Sequence, residues 1–147
     1  MFIHQEEKTL SHEIDDLKKL ILDVESYPEF LPWCEKVEIL QKNRDGFEAD
    51  LILKYKSFKK SYISKTTITE SGNMVIIKTT AMKGIFKSLN SIWELKKIDP
   101  EQTIVKFRIH FELQSAFFSK ILNLFFKTAN QKMMQSFEKR IGQLCRK

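Results

Sequence analysis

The chain has little of what specialised sites and covalent frameworks are built from. Among its 147 residues there are two cysteines, four glycines and three histidines. Cys34 and Cys145 are too few for the disulfide framework of a small secreted protein. Neither cysteine has a histidine at a spacing typical of a zinc site or a catalytic pair. Four glycines form no phosphate-binding loop, which argues against a nucleotide-dependent enzyme.

Targeting and membrane-spanning patterns are also missing. No apolar run approaches the roughly 20 residues that cross a bilayer, and the opening residues MFIHQEEKTL lack the basic-then-apolar order of a secretory signal. We therefore expect a reducing location, the cytoplasm or, after removal of a presequence, an organelle matrix. With 42% hydrophobic and 30% charged residues, and without repeats or linkers, residues 1–147 are expected to form one globular domain.

The net charge of +6 is concentrated at the C-terminal end. From residue 116 onward there are seven basic residues and one acidic residue, while the rest of the chain is balanced. A solvated helix face carries such charges, and cations are favoured near a helix C-terminus. The same concentration of charge would attract anionic lipid headgroups or RNA phosphates. The candidates for such a contact are Lys120, Lys127, Lys132, Lys139 and Arg140.

Apolar residues at helical spacing predict a short helix near the N-terminus and a long helix at the C-terminus. After a first strand over residues 1–10, Ser11 is expected to cap a helix whose apolar side runs from Ile14 to Val24. Pro28 requires that helix to end just before it. The C-terminal helix is predicted from about residue 116 to residue 146. Its apolar stripe consists of Leu122, Phe125, Ala129, Met133, Phe137, Ile141 and Leu144.

Between these helices, apolar and polar residues alternate with the period of a β-strand. The clearest runs are Phe47–Tyr55, Leu89–Leu95 and Val105–Leu113, and residues that favour strands also surround Tyr62 and Met74. The strand around Tyr62 is mixed on both faces, so its inward side is left open. One-sided alternation with short turns favours an antiparallel sheet. We predict an α+β fold in which a curved antiparallel sheet wraps around the C-terminal helix.

An aromatic segment precedes these strands, residues 23–40, with the sequence DVESYPEFLPWCEKVEIL. Pro28 and Pro32 restrict the backbone, so the segment is expected to be a stiff, irregular connection that holds its large apolar side chains in place. Taken alone, the pattern is typical of a hydrophobic plug at one end of a core.

The same segment resembles the signature of the coenzyme Q-binding START-domain family, in which a helix ends in Asp-Val-x-x-Tyr-Pro-x-Phe-Leu-Pro-x-Cys. The matching residues are Asp23, Val24, Tyr27, Pro28, Phe30, Leu31, Pro32 and Cys34. A second family motif, Gly-Pro-Phe-Lys-x-Leu with Trp four residues later, is matched by Gly84, Phe86, Lys87, Leu89 and Trp93, while Ile85 replaces its proline. The resemblance extends from about residue 2 to residue 144, and the family also contains bacterial ribosome-associating toxins.

The resemblance implies a helix-grip fold whose cavity binds a polyprenyl quinone, ubiquinone. Relatives on this fold include enzymes, but the residue patterns indicate no catalytic residue, metal site or separate cofactor, so none is expected. Small residues would leave room for the quinone: Ala49, Thr79, Ser91 and Ala129. The candidate residues of the cavity and its rim are Tyr27, Phe30, Leu31, Pro32, Trp33, Phe86, Trp93, Phe107, Ile109, Phe125, Ala129, Met133 and Phe137. Taken without the resemblance, aromatic and methionine stripes of this kind more often belong to a packed core.

Two functions of different classes are therefore expected. The first is a non-enzymatic ubiquinone carrier or chaperone that supports respiratory electron transport and touches the inner membrane peripherally. Its membrane contact would be the basic helix and the Phe-rich run AFFSKILNLFF over residues 116–126. The second, implied by the toxin branch, is binding to the large ribosomal subunit with inhibition of translation. Only four of the 25 basic residues are arginine, the better recogniser of phosphate, and no DNA partner is expected.

Overall fold

A curved sheet of seven antiparallel strands packs its concave face against two C-terminal helices. The computed structural model describes residues 2–55, 58–114 and 119–145. The strands are β1 (Phe2–Leu10), β2 (Cys34–Asn43), β3 (Gly46–Tyr55), β4 (Phe58–Ser71), β5 (Met74–Gly84), β6 (Phe86–Asp99) and β7 (Gln102–Leu113). The helices are α1 (Ile14–Leu22), a 3₁₀ helix (Val24–Glu29), α2 (Ser119–Gln131) and α3 (Met133–Leu144).

The strands lie in the order β1-β7-β6-β5-β4-β3-β2, so hairpins join all neighbours except β1 and β7. β1 pairs antiparallel with β7, from Phe2 opposite Phe111 to Leu10 opposite Thr103. This pairing places the first and last strands of the chain side by side and leaves β1 and β2 as the two edges of the sheet. The predicted α+β fold with a curved antiparallel sheet is confirmed.

The start of the chain differs from the prediction at the first helix. α1 begins at Ile14 and its N-cap is Glu13, whose side chain forms no capping hydrogen bond. The prediction of Ser11 as the cap is wrong, because residues 11–13 bend the chain between β1 and the helix, which begins only at Ile14. Asp15 and Asp16 do lie in the first turn, where acidic side chains are favourable.

The aromatic segment is more regular than predicted. Residues Val24–Glu29 form a 3₁₀ helix that contains Pro28, and Cys34 already begins β2. The side-chain hydroxyl of Tyr27 donates a hydrogen bond to the backbone carbonyl of Ile21, the penultimate residue of α1. The backbone N–H groups of Phe30 and Leu31 both donate to the carbonyl of Tyr27, at 3.1 and 2.9 Å. Tyr27 therefore fixes both the beginning and the end of this turn.

The C-terminal helix is interrupted at Lys132, so the prediction of one continuous helix is corrected to two, α2 and α3. Three side chains donate to the backbone carbonyl four residues earlier, each at 2.9 Å: Thr128 to Leu124, Asn130 to Phe126, and Ser136 to Lys132. Side-chain bonds of this kind compete with the helix backbone and bend helices. The predicted residues 116–118 and 146 lie outside the described residues.

Two aromatic clusters attach the helices to the sheet. In the first, the ring of Phe137 lies 5.0 Å from Trp93, 5.1 Å from Phe30 and 5.3 Å from Tyr27. We call this group, which continues to Phe107, the Phe137 cluster. The second, the Phe126 cluster, consists of Phe126, Phe86, Phe111 and Tyr62, with neighbouring centroids 5.0–5.7 Å apart. Edge-on aromatic pairs add about 0.5–1.5 kcal/mol each beyond the area that they bury.

Gly84, the last residue of β5, is expected to tolerate no side chain. Its φ is 122°, and a Cβ there would lie 2.6 Å from the carbonyl oxygen of Ser61 and from Cα of Tyr62. We predict that Gly84→Ala lowers the free energy of unfolding by about 1–3 kcal/mol, measured by urea denaturation. Gly142→Ala is the matched control, because a Cβ on that helical residue meets no heavy atom within 4 Å. This control should stabilise the protein by about 0.5–1 kcal/mol. Equal stability of the two variants would show that a side chain at Gly84 causes no backbone strain.

Tyr27 and Tyr62 are expected to resist ionisation in the folded protein. Burial around both hydroxyls, more than any neighbouring group, raises their pKa above the ordinary value near 10. The unfolded chain therefore loses these protons first as the pH rises, so stability is full below about pH 10 and falls above it. At about pH 11, Tyr27→Phe and Tyr62→Phe should leave the phenolate absorbance of the native protein unchanged. Each should remove one of three phenolates from the denatured protein. A native spectrum that loses absorbance in either variant would overturn this assignment.

Candidate functional site

A cavity of about 130 Å³ lies between the concave face of the sheet and the helices α2 and α3. Its lining consists of 25 residues from β3 to β7, α1, the aromatic segment and both C-terminal helices. Not one of these lining residues is Asp, Glu, His, Lys, Arg or Cys. The cavity is thus an uncharged, mostly apolar space in the centre of the fold.

The structure brings nine of the thirteen predicted cavity residues to this lining: Tyr27, Trp33, Phe86, Trp93, Phe107, Ile109, Ala129, Met133 and Phe137. Their part in holding a ligand stays a prediction. The other four lie elsewhere. Phe30 packs on Phe137 outside the lining, Leu31 is buried in the core, and Pro32 is exposed. Phe125 lies against Tyr55, with centroids 4.5 Å apart, in a small separate crevice.

The cavity exists because small side chains occupy the middle of the concave face. Thr66, Thr79 and Ser91 stand directly opposite one another on β4, β5 and β6. We call these three residues the hydroxyl row. Large side chains flank the hydroxyl row on both sides. On one side Ile77 stands opposite Trp93, and on the other side Leu89 stands opposite Phe111. The large side chains of these flanking rows hold the helices away from the sheet. The hydroxyl row and Ala129 above it leave the space unfilled.

Polar groups in the lining were partly missed by sequence reasoning. Ser64, Thr66, Tyr62 and Asn130 all line the cavity, and none was predicted to do so. A usable signal was Lys65, since an exposed lysine on β4 requires its neighbours Ser64 and Thr66 to face the interior. Asn130 gave no signal of this kind, because a single polar residue within a helical stripe is usually solvent-facing.

The predicted basic contact residues separate into two groups. Lys120, Lys127, Lys132 and Lys139 are exposed on α2 and α3 or between them. Arg140 instead donates to a carboxylate oxygen of Glu29 at 3.1 Å, and its guanidinium lies 5.4 Å from the ring centroid of Phe30. Arg140 is thus engaged in joining α3 to the 3₁₀ helix, and four lysines remain as the surface charge of this segment.

Other kinds of site find little support in the described ranges. No cluster of three His, Cys, Asp or Glu side chains there is arranged to hold a metal ion. Cys34 lies buried beside the cavity, and burial raises the pKa of its thiol to about 11. A thiol that stays protonated at neutral pH is a poor nucleophile. Among the helices of these ranges, none has both the length and the apolar character needed to cross a membrane.

Comparisons with known proteins agree with this geometry. A family model described as polyketide cyclase / dehydrase and lipid transport matches residues 10–138. The chain is 32% identical, over 99% of its own length and the whole of the relative, to a ribosome association toxin of Rickettsia prowazekii. It is 31% identical to a mitochondrial coenzyme Q-binding protein of Dictyostelium discoideum, over 93% of the chain and 67% of that protein.

A solved structure supports the same fold. A START superfamily protein from Mycobacterium smegmatis superposes with a TM-score of 0.75 at 15% identity, covering 97% of this chain and 98% of the other. At that identity the likeness shows the fold alone, and it confirms the helix-grip arrangement. The family match over residues 10–138 shows that the chain belongs to the polyketide cyclase / dehydrase and lipid transport family, and its relatives include proteins named for coenzyme Q binding and for ribosome association.

Proposed function

We propose that the protein binds a polyprenyl quinone in the central cavity and carries or shields it in support of respiratory electron transport. The observation that carries this proposal is an uncharged cavity, between sheet and helices, that combines aromatic walls with a middle band of hydroxyl groups. A quinone has the same combination, an apolar body with neutral polar oxygens. The coenzyme Q-binding relative at 31% identity supports the choice of ligand.

Binding without catalysis is favoured by the chemistry of the lining. Its titratable side chains are Tyr27 and Tyr62, and burial raises the pKa of both. Neither phenol is ionised near neutral pH, so neither can act as a general base there. The lining also lacks a paired nucleophile and base. A protein that holds a quinone unchanged needs none of these groups.

The cavity must enlarge when the ligand enters. Its volume of about 130 Å³ is below the range of about 300–1,000 Å³ typical of small-molecule pockets. Met133, a flexible side chain in the lining, can change shape at low cost. Burial of the isoprenoid tail would contribute about 0.8 kcal/mol per CH₂, which favours opening this space. The outer side of α2 carries Lys120, Leu124 and Lys127, all exposed, as a contact for an anionic membrane.

Ala129→Trp is expected to fill the cavity from the helix side. Ala129 is 5% exposed and lies in the lining, so an indole there would occupy the space that the quinone needs. Overpacking costs about 1–3 kcal/mol, so the affinity for a short-chain ubiquinone should fall about tenfold or more by titration calorimetry. Lipid extracted from the purified variant should contain correspondingly less quinone by mass spectrometry.

The matched control is Gln135→Trp, which places the same side chain on an exposed position of α3. It should retain the quinone content and affinity of the unchanged protein. Circular dichroism establishes that both variants fold. A folded Ala129→Trp protein that binds quinone as well as the control would show that the ligand lies elsewhere.

We also propose ribosome association as a second candidate function. The observation that favours it is the relative named as a ribosome association toxin, matched at 32% identity over its whole length. The structure leaves Lys120, Lys127, Lys132 and Lys139 exposed on the C-terminal helices, where they would contact RNA phosphate of the large subunit. Arg140, engaged by Glu29, contributes less to such a surface.

Removing these four charges is expected to weaken sedimentation with the large ribosomal subunit. With Lys120, Lys127, Lys132 and Lys139 all changed to Gln, the slope of log affinity against log salt should become shallower by about 3, because each phosphate contact contributes about 0.7–0.9. The control changes four exposed lysines of the strands to Gln: Lys36, Lys42, Lys65 and Lys78. It removes the same charge from another surface and should sediment normally. Equal losses of ribosome binding in both variants would mean that only net charge matters. Unchanged binding by the first variant would refute the helix surface as the ribosome contact.

A further inference from the structure

The hydroxyl row is an unusual feature for the centre of an apolar core. Thr66 is 4% exposed, and its neighbour Ser64 on the same side of β4 is 3% exposed. Thr79 and Ser91 continue the line on β5 and β6. Valine or alanine would pack at these positions without any polar atom to satisfy. Four hydroxyls in one part of the lining therefore raise the question of where their hydrogen bonds go.

The hydrogen-bond partners of these hydroxyls are incomplete. The Oγ1 atoms of Thr66 and Thr79 are 2.8 Å apart, so one of these two hydroxyls donates to the other. The second hydrogen of that pair stays available. Within the described part of the chain, the hydroxyls of Ser64 and Ser91 form no side-chain hydrogen bond. Three donors thus face the cavity, where the acceptor oxygens of a ligand could reach them.

The opposite wall offers a further polar group. Asn130, 6% exposed, lines the cavity from α2 between Phe126 and Phe137 in sequence. Its Nδ2 donates to the backbone carbonyl of Phe126 at 2.9 Å. One N–H and the side-chain carbonyl of Asn130 are not used by that bond. The cavity therefore has hydrogen-bonding groups on both its sheet wall and its helix wall.

The absence of charge in the lining selects the chemistry of the partner. An ionised carboxylate or phosphate moved into this space would have no lysine, arginine or histidine of the lining to pair with. Such a transfer is very unfavourable, whereas a neutral carbonyl needs only a donor. Fatty acids and phospholipid headgroups are disfavoured on this ground. A neutral head that carries acceptor oxygens matches the three available donors.

We propose that a neutral lipid enters this cavity head first, with its carbonyl oxygens accepting hydrogen bonds from Ser64, Ser91 and the Thr66–Thr79 pair. This inference rests on the proposed quinone-binding function and assigns the position of the ring within it. The quinone ring lies between the hydroxyl row and Asn130, and the two aromatic clusters flank it. The isoprenoid tail is then the part of the ligand that reaches the protein surface.

The test compares Ser64→Ala/Ser91→Ala, which removes two lining hydroxyls that have no side-chain partner within the described residues, with the unchanged protein. Each substitution removes a hydroxyl and preserves most of the side-chain shape. Calorimetric titrations use three ligands with the same ten-carbon chain: a decyl benzoquinone, decylbenzene and decanoate. The double variant should bind the quinone about 5- to 100-fold more weakly, the loss of two hydrogen bonds, while its affinity for decylbenzene stays within about twofold. The unchanged protein should bind decanoate much more weakly than the quinone.

The control is Thr80→Val/Ser61→Ala, which removes two exposed hydroxyls, one from β5 and one from β4. It should bind all three ligands as the unchanged protein does. If the double variant does not fold, Ser91→Ala alone tests the same point, with a loss of about 2- to 12-fold expected. Undiminished quinone binding by the variants would overturn the head-first position of the ring, while the proposed quinone-binding function would stand. Decanoate binding as tight as that of the quinone would overturn the selection for a neutral head. An unchanged protein that binds neither the quinone nor decylbenzene would refute the proposed function itself.

Discussion

The structure depends on burying the apolar side of α2 and α3 against the concave face of the sheet. Phe126 and Phe137 anchor this contact, each within an aromatic cluster. They are 11 residues apart in sequence, about 16 Å along a helix, so the helices are attached at two separate points. The large rings at these points set the distance between helix and sheet. Smaller side chains between them cannot fill that distance, and the cavity follows from the same contacts that stabilise the fold.

Much of this fold follows from patterns in the sequence, since alternation and helical spacing directly record which side of each element is buried. β2 was missed because, as an edge strand, it buries few residues and carries charges such as Lys36 and Glu38. The interruption at Lys132 was missed because it depends on side-chain bonds to the backbone, as from Asn130, which no apolar period records. Long strands and amphipathic helices are therefore predictable, and exposed edges and local bends are not.

The candidate site was predictable to the extent that it is apolar. Aromatic residues such as Trp93 and Phe107 reached the lining because any large apolar residue on an inward face must contact the interior. Phe30 and Pro32 did not, because the 3₁₀ helix and the turn after it direct them away from the lining. The hydroxyls of Ser64 and Thr66 escaped prediction for the opposite reason: sequence patterns treat polar residues as solvent-facing. Of the polar residues that give the cavity its chemical character, Thr79 and Ser91 were predicted to face it, and Ser64, Thr66 and Asn130 were not.

The two proposed functions meet in α2. Its inner side carries Phe126, Ala129 and Asn130 against the cavity, and its outer side carries Lys120 and Lys127. Since the cavity is smaller than a quinone site requires, a ligand that enlarges it by displacing α2 would also displace the lysines. When the isoprenoid tail moves from the cavity into a membrane, it passes from one apolar medium to another, so the transfer itself changes the free energy little. The hydroxyl row would then determine how firmly the ring is retained, and contact of the outer lysines with an anionic surface would determine where α2 is held while the ligand leaves.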